Sequence, residues 1–196
     1  SRKREQFVIK QAWAVRPMDV RRAMLDLRPH IVHFCGHGDT EGLAFEDENG
    51  RSRIIDAETL AEFFGLFADR VECVILNACY SEVQARAIAR HIPYVIGMKS
   101  AIGDKAAIQF AVAFYDAVGS GESYEFAYKV ACNALKWAGL SESHIPVLMI
   151  KREQPTISEE SQKGDQAQIF EVEPRPRFFR TYRQFIGREV IIGEII

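Results

Sequence analysis

The spacing of apolar residues changes repeatedly along the first 150 positions, and these changes divide this part of the chain into strands and helices. Alternating or continuous runs of β-branched and aromatic residues predict strands, whereas apolar residues three and four apart predict helices. Asn49-Gly50 predicts a tight turn inside a hairpin at 42–55. The other predicted strands are 7–15, 30–34, 71–78, 93–98 and 145–151. The predicted helices are 17–27, 56–67, 81–91, 104–118 and 122–139.

Strands that alternate with helices predict an α/β fold, in which a mostly parallel sheet carries helices on both faces. Ligands of such sheets bind outside the carboxyl ends of the strands. Two predicted strands end in chemically distinctive residues, the first in "HFCGHG" (33–38) and the second in "NAC" (77–79). Neighbouring parallel strands would therefore bring His37 and Cys79 to one edge of the sheet.

An imidazole and a thiol at one sheet edge predict nucleophilic catalysis. Cys79 precedes the helix at 81–91, where Ser81 and Gln84 have the spacing of a capping box. The positive end of that helix dipole favours the thiolate. His37 would act as general base or pair with the thiolate and later protonate a leaving amine. The N–H groups of Gly38 and Cys79 would form an oxyanion hole, worth about 3 kcal/mol per donor.

A structural role is the competing interpretation of these residue types, because single buried cysteines and histidines are usually core residues. His33 and Cys35 alternate along a buried strand and are assigned to the core, as are Cys73 and Cys132. A metal site built on His33 and His37 is not predicted, since an extended strand holds them roughly 13 Å apart. Spacing alone leaves the catalytic pair and the structural role both open.

Composition narrows the class of protein. A net charge of −2 over 196 residues gives no electrostatic reason to expect nucleic acid or a membrane as the main partner. Four scattered cysteines do not form a disulfide framework, the charged N-terminus lacks the apolar region of a signal peptide, and no stretch has the roughly 18 apolar residues of a membrane span. We therefore expect a cytoplasmic protein with reduced thiols. The polar stretch at 152–184 predicts a linker.

Three stretches, "PHIVHFCGHG", "VECVILNACYSEVQARAI" and "YVIGMKSAIGDKAAIQFAVAFYDAVGSGESYEFAYKVA", resemble CHAT domains over roughly residues 7–150. CHAT domains are bacterial caspase-like cysteine peptidases of clan CD, grouped with caspases, metacaspases and separase. The resemblance implies a caspase-like fold, here without the family's usual N-terminal strand. His37 matches the catalytic histidine, Cys79 the nucleophile, and the backbone of Gly38 and Cys79 the oxyanion hole. Cys35 stands where the family motif has serine.

The implied reaction is hydrolysis of peptide bonds in a protein substrate through a thioester acyl-enzyme, with no metal or organic cofactor. In the related separases an acidic residue ahead of the next helix receives a P1 arginine, and Asp104 occupies the matching place. A basic P1 residue is therefore implied for this chain. The alternative is that Asp104 caps the helix at 104–118, and the two roles are compatible.

Residues 185–196, "FIGREVIIGEII", resemble the opening of signal-transducing ATPases of the NACHT and STAND group. The chain contains no G-x-x-x-x-G-K-[ST] motif with which to bind ATP itself. The resemblance implies that residues 1–151 are the protease effector of a larger bacterial sensor in immunity or cell death, linked covalently to a sensor or ATPase domain. The alternative for 185–196 is an ordinary amphipathic tail.

Two further functions remain open from the sequence. One is a catalytically silent CHAT-like module that passes a signal by interaction. The other is a non-proteolytic hydrolase or acyltransferase that uses the same pair. The presence of both His37 and Cys79 in intact motifs favours an enzyme.

Overall fold

The computed structural model describes residues 7–13, 16–151 and 189–195. Its centre is a six-stranded sheet, and a separate two-stranded hairpin lies beside it. Numbered in chain order, the strands are β1 (Phe7–Trp13), β2 (Ile31–Cys35), β3 (Leu43–Glu46), β4 (Ser52–Ile55), β5 (Cys73–Asn77), β6 (Tyr94–Met98), β7 (Pro146–Ile150) and β8 (Glu189–Ile195). The helices are α1 (Pro17–Leu27), α2 (Ala57–Gly65), α3 (Glu82–Ile88), α4 (Asp104–Val118) and α5 (Tyr124–Trp137), with a short 3₁₀ turn at Ser141–His144.

The strand order in the large sheet is β1-β8-β2-β5-β6-β7. β2, β5 and β6 run parallel, and β1 runs the same way because β1 and β2 are both antiparallel to β8. β7 is antiparallel on the far edge. Four of these six strands are thus parallel, which confirms the predicted mostly parallel α/β fold.

Apolar residues of the central strands alternate between two cores, one on each face of the sheet. Val74 and Leu76 of β5 lie in the cluster that includes residues of α1, α2 and α3. Cys73 and Ile75 lie in the cluster formed with α4 and α5. A strand buried on both faces has a continuous apolar sequence, which explains the unbroken run in "CVIL". Helices on both faces are therefore confirmed.

The helix ends depend on local chemistry. Asp56 caps α2 by accepting a hydrogen bond from the Thr59 N–H at 2.9 Å. The β3–β4 hairpin turns at Gly50, whose φ of 73° suits the predicted Asn-Gly turn. α1 and α4 span the residues predicted for them, whereas α2, α3 and α5 are shorter than predicted by three or four residues.

β8 is a strand that the sequence analysis did not predict. It lies inside the sheet, with Glu189 opposite Cys35 of β2 on one side and opposite Trp13 of β1 on the other. The assignment of 185–196 to the start of an ATPase-like domain stays a prediction. The predicted linker at 152–184 lies outside the described residues. No helix in the described part of the chain has the length and apolar character needed to cross a membrane.

Candidate active site

A cavity of about 420 Å³ opens at the carboxyl edge of β2 and β5. His37, Cys79 and Asp104, the three residues whose side chains the sequence analysis singled out, all line it. His37 comes from the loop after β2, Cys79 from the turn after β5, and Asp104 from the first turn of α4. The sheet-edge rule predicted that His37 and Cys79 lie at one edge of the sheet, and both residues line the cavity there.

Backbone contacts fix the loop that carries His37. The His37 carbonyl accepts a hydrogen bond from the Ala44 N–H at 2.9 Å, and Gly38 forms a β-bridge with Leu43. A Cβ at Gly38 would lie 3.0 Å from the Cys79 carbonyl oxygen and 3.1 Å from Cδ2 of Leu43. Glycine at 38 therefore lets the backbone beside His37 approach the backbone of Cys79. The oxyanion hole assigned to the N–H groups of Gly38 and Cys79 stays a prediction.

Ser81 anchors the turn that carries Cys79. Its side chain is fully buried; the Oγ donates to the Leu76 carbonyl at 2.9 Å and accepts from the Met98 N–H at 3.0 Å. The predicted capping box is wrong, because Ser81 makes no side-chain cap bond to α3. The hydroxyl instead joins β5 and β6, two parallel strands, near their carboxyl ends.

Gly97 and Gln84 support the same region, and the sequence analysis missed both roles. A Cβ at Gly97 would lie 2.7 Å from the Ser81 carbonyl oxygen and 2.6 Å from Cβ of Ala85, so β6 and α3 approach closely here. Gln84 is fully buried, and its Nε2 donates to the Asp39 carbonyl at 3.1 Å, which ties α3 to the His37 loop. A glycine inside a strand was the available signal for the first contact.

His33 is a buried structural histidine, as predicted. Its Nδ1 lies 3.2 Å from the Tyr115 hydroxyl, and its Nε2 lies 3.2 Å from Sγ of Cys35. Burial lowers the pKa of the imidazole from 6.5 to about 3, so the ring is neutral. The assignment of Cys35 to the core is wrong, because Cys35 is half-buried and lines the cavity. It is the last residue of β2.

We expect the folding stability to fall as the pH is lowered from 6.5 toward 3. In this window the unfolded chain binds a proton at His33 that the folded protein excludes, so the loss is about 1.4 kcal/mol per pH unit. Urea unfolding between pH 7.5 and 5.0 measures the slope, and the His33→Phe variant serves as control. The variant should show a flatter profile than the wild type above pH 5. Parallel profiles would contradict the assignment of the slope to His33.

Asp104 is exposed and is the first residue of α4. The N-cap is Gly103, so the predicted capping role of Asp104 is wrong, although a carboxylate in the first turn still complements the helix dipole. Below Asp104 the cavity wall is formed by small and apolar residues of the same helix, Ala107, Ile108 and Ala111. The carboxylate therefore lies at the entrance of a pocket with an apolar wall.

Asn77 links the two sides of the cavity. Its backbone carbonyl accepts from the Gly36 N–H at 3.3 Å, and its Nδ2 donates to the Ala107 carbonyl at 3.3 Å. β2, β5 and α4 are thus connected where the cavity opens. Within the described residues, no group of three or more His, Cys, Asp or Glu side chains is arranged to hold a metal ion.

The sequence matches known proteins over the same region. A family model described as the CHAT domain matches residues 6–135. A "Roc-COR-CHAT protease" from an unknown prokaryotic organism is 30% identical over 125 residues, which is 60% of this chain and 12% of that protein. A "Probable protease" from Gillisia limnaea is 25% identical over 115 residues, or 56% of this chain and 20% of that protein. The chain thus spans only a small part of the length of these relatives.

Proposed function

The chain belongs to the CHAT domain family, and from this premise we propose that it is a cysteine endopeptidase acting on protein substrates. The similarity to two proteins named as proteases supports a peptidase-like role. One observation carries the cysteine-type mechanism: His37 and Cys79 line one cavity, at the edge where the backbone of Gly38 lies against that of Cys79. Nucleophile, base and oxyanion donors are the groups that acyl transfer needs.

In the proposed reaction, the Cys79 thiol loses its proton to His37 and the sulfur attacks the carbonyl carbon of the scissile peptide bond. Negative charge develops on the carbonyl oxygen, where the N–H groups of Gly38 and Cys79 stabilise it by about 3 kcal/mol each. The C–N bond then breaks as His37 protonates the leaving amine, which leaves a thioester on Cys79. Water, deprotonated by His37, attacks the thioester and releases the carboxylate product and the free thiol.

The experiment that tests this function is intact-mass spectrometry of the protein after exposure to peptide electrophiles that differ only at P1. Peptides with Arg, Lys, Leu, Met and Asp at P1 are compared, and matched small ester substrates are assayed in parallel. A single adduct at Cys79 supports the peptidase if the peptide electrophile reacts with Cys79 faster than it reacts with a free thiol. Turnover of esters without reaction at peptides would favour the non-proteolytic hydrolase. No reaction at all would favour the silent signalling module.

The residues that line the pocket beside Cys79 support the proposal of a basic P1 residue. The carboxylate of Asp104 at the entrance can pair with a cation, and the apolar wall of α4 can cover the aliphatic stem of arginine or lysine. Cationic side chains bury their stems and keep their charged ends near water or a counter-ion. We therefore propose Asp104 as the residue that selects a basic P1 side chain.

We expect Asp104→Asn to lower kcat/KM for P1 arginine peptides by about fivefold, because one exposed charge pair worth about 1 kcal/mol is removed. Hydrolysis of P1 leucine peptides should change little in the same variant. Since Gly103 and not Asp104 is the N-cap, the stability of α4 should be nearly unaffected. Kinetics with the P1 arginine and P1 leucine peptides, run in parallel on the wild type and the variant, measure the ratio of the two kcat/KM values. An unchanged preference for P1 arginine would show that the charge of Asp104 does not select the substrate.

The same family membership supports a role within a larger protein. The matched relatives are about five to eight times longer than their matched regions, as the coverages of 20% and 12% show. We propose that the chain is the protease part of a cytoplasmic bacterial sensor in immunity or cell death, and that a covalently linked domain controls it. This proposal also rests on the resemblance of 185–196 to the opening of NACHT and STAND ATPases.

A further inference from the structure

The residue directly after the proposed nucleophile has a strained backbone. Tyr80 has a φ of 57°, in the left-handed region that bulky residues rarely adopt. Arg28 is the other described non-glycine residue with a positive φ, and it lies at the C-cap of α1, where this conformation is common. Tyr80 lies instead in the turn that leads from β5 to α3. Strain at such a place indicates that the surrounding structure imposes it.

Two anchors define the ends of this turn. On the strand side, Asn77 is paired with Cys35 in the β2–β5 ladder, and its side chain bonds the Ala107 carbonyl. On the helix side, the buried hydroxyl of Ser81 bonds both Leu76 and Met98. The Ser81 carbonyl is further fixed because it accepts from the Ala85 N–H and packs directly on Gly97.

Only Ala78, Cys79 and Tyr80 lie between these anchors. Ala78 is buried, and its Cβ would lie 3.2 Å from a Cβ at Gly38, so the His37 loop limits its movement. Tyr80 is 44% exposed and is the residue of the three with room for an unusual conformation. Its N–H also donates to the Ser100 carbonyl at 3.4 Å. Because both ends of the turn are fixed and Ala78 is buried, Tyr80 is the residue that takes the left-handed conformation.

We propose that Tyr80 is a positioning residue, whose left-handed backbone conformation fixes the Cys79 thiol and N–H toward the cavity for attack on a peptide carbonyl. This inference rests on the proposed function. It assigns to the backbone of Tyr80, and not to its ring, a role that neither the motif nor the residue type indicates. Glycine adopts the left-handed conformation without strain and can also leave it, so glycine at 80 should stabilise the turn and hold the Cys79 thiol less firmly.

The test compares Tyr80→Gly with Tyr80→Ala, which both remove the ring. Glycine enters the left-handed region freely, whereas alanine keeps the strain. We expect the glycine variant to unfold at a higher urea concentration than the alanine variant. We also expect the glycine variant to react with peptide electrophiles at Cys79 more slowly, on the order of tenfold, because a loosened nucleophile is misaligned. The alanine variant should stay within a factor of about three of the wild type.

The rate of Cys79 with iodoacetamide serves as the reference, since a small reagent does not need an aligned thiol. It should differ little among the three proteins, so that the ratio of peptide to iodoacetamide rate reports positioning. Equal peptide rates in the glycine variant and the wild type would overturn the inference, as would an alanine variant as slow as the glycine variant. A glycine variant less stable than the alanine variant would show that Tyr80 is not strained. A wild type that reacts with no peptide would contradict the proposed function, and the stability comparison would still decide the strain.

Discussion

Cys79→Ala is expected to lower peptide hydrolysis by about 10⁴-fold or more, whereas Cys35→Ala is expected to retain most of the activity. Both thiols line the same cavity, so the comparison is matched for position. The expected difference lies in the histidine that is assigned to activate each sulfur. Cys35 lies 3.2 Å from the Nε2 of His33, whose pKa is lowered to about 3 by burial. A base that weak accepts little proton from a thiol, so we do not expect His33 to activate Cys35.

Hydrolysis of a peptide substrate and the mass of the covalent adduct are the measurements for this pair of variants. The His37→Ala protein is run alongside and is expected to form the Cys79 adduct more slowly, because no other described group is assigned to take the proton. Both alanine substitutions are at half-buried thiols, so circular dichroism should confirm an unchanged fold. Adduct formation at Cys35, or hydrolysis by Cys79→Ala at a rate comparable to the wild type, would show that Cys79 is not the nucleophile.

Gly97→Ala is expected to lower the free energy of unfolding by about 3 kcal/mol and to reduce the reactivity of Cys79 as well. The added Cβ would lie 2.6 Å from Cβ of Ala85 and 2.7 Å from the carbonyl oxygen of Ser81. Neither atom belongs to a flexible side chain, so α3 must move away from β6. Movement of Ser81 would disturb its hydrogen bonds to Leu76 and Met98, which anchor the turn that carries Cys79.

Gly50→Ala is the matched control for this variant. Gly50 has a φ of 73° with no atom within 4 Å of an added Cβ, so alanine there adds backbone strain without a steric conflict. Its expected cost is about 1 kcal/mol, with no change in Cys79 reactivity. Urea unfolding and the rate of the peptide electrophile measure both effects. A Gly97→Ala protein as stable as the Gly50→Ala protein would show that β6 and α3 separate without penalty.

Sequence patterns predicted the elements that depend on local information. α4 has the predicted bounds because its apolar residues continue all round and Gly103 and Gly119 flank it. The meeting of His37 and Cys79 followed from the rule for the carboxyl ends of parallel strands. The first prediction needed only the local sequence pattern. The second needed the local pattern and one general property of α/β sheets.

The roles of Ser81 and Cys35 depend on contacts between distant parts of the chain, so the sequence did not reveal them. Ser81 has the spacing of a helix cap, and only the meeting of β5 and β6 offers its hydroxyl the Leu76 carbonyl and Met98 N–H instead. Cys35 follows the alternation of a buried strand, but the strand ends there and the thiol reaches the cavity. β8 was missed for the same reason, since its pairing joins residues more than 150 positions apart.

The place of β8 has a practical consequence for anyone who prepares this protein. A version cut after Lys151 would retain the whole family match and the whole cavity, yet it would lack the strand that separates β1 from β2. β2, which leads into the His37 loop, would then present a row of unpaired backbone N–H and C=O groups. Such open edges recruit strands from other molecules and promote aggregation. Recombinant samples that keep residues 189–195 are therefore the sounder starting material for enzymology.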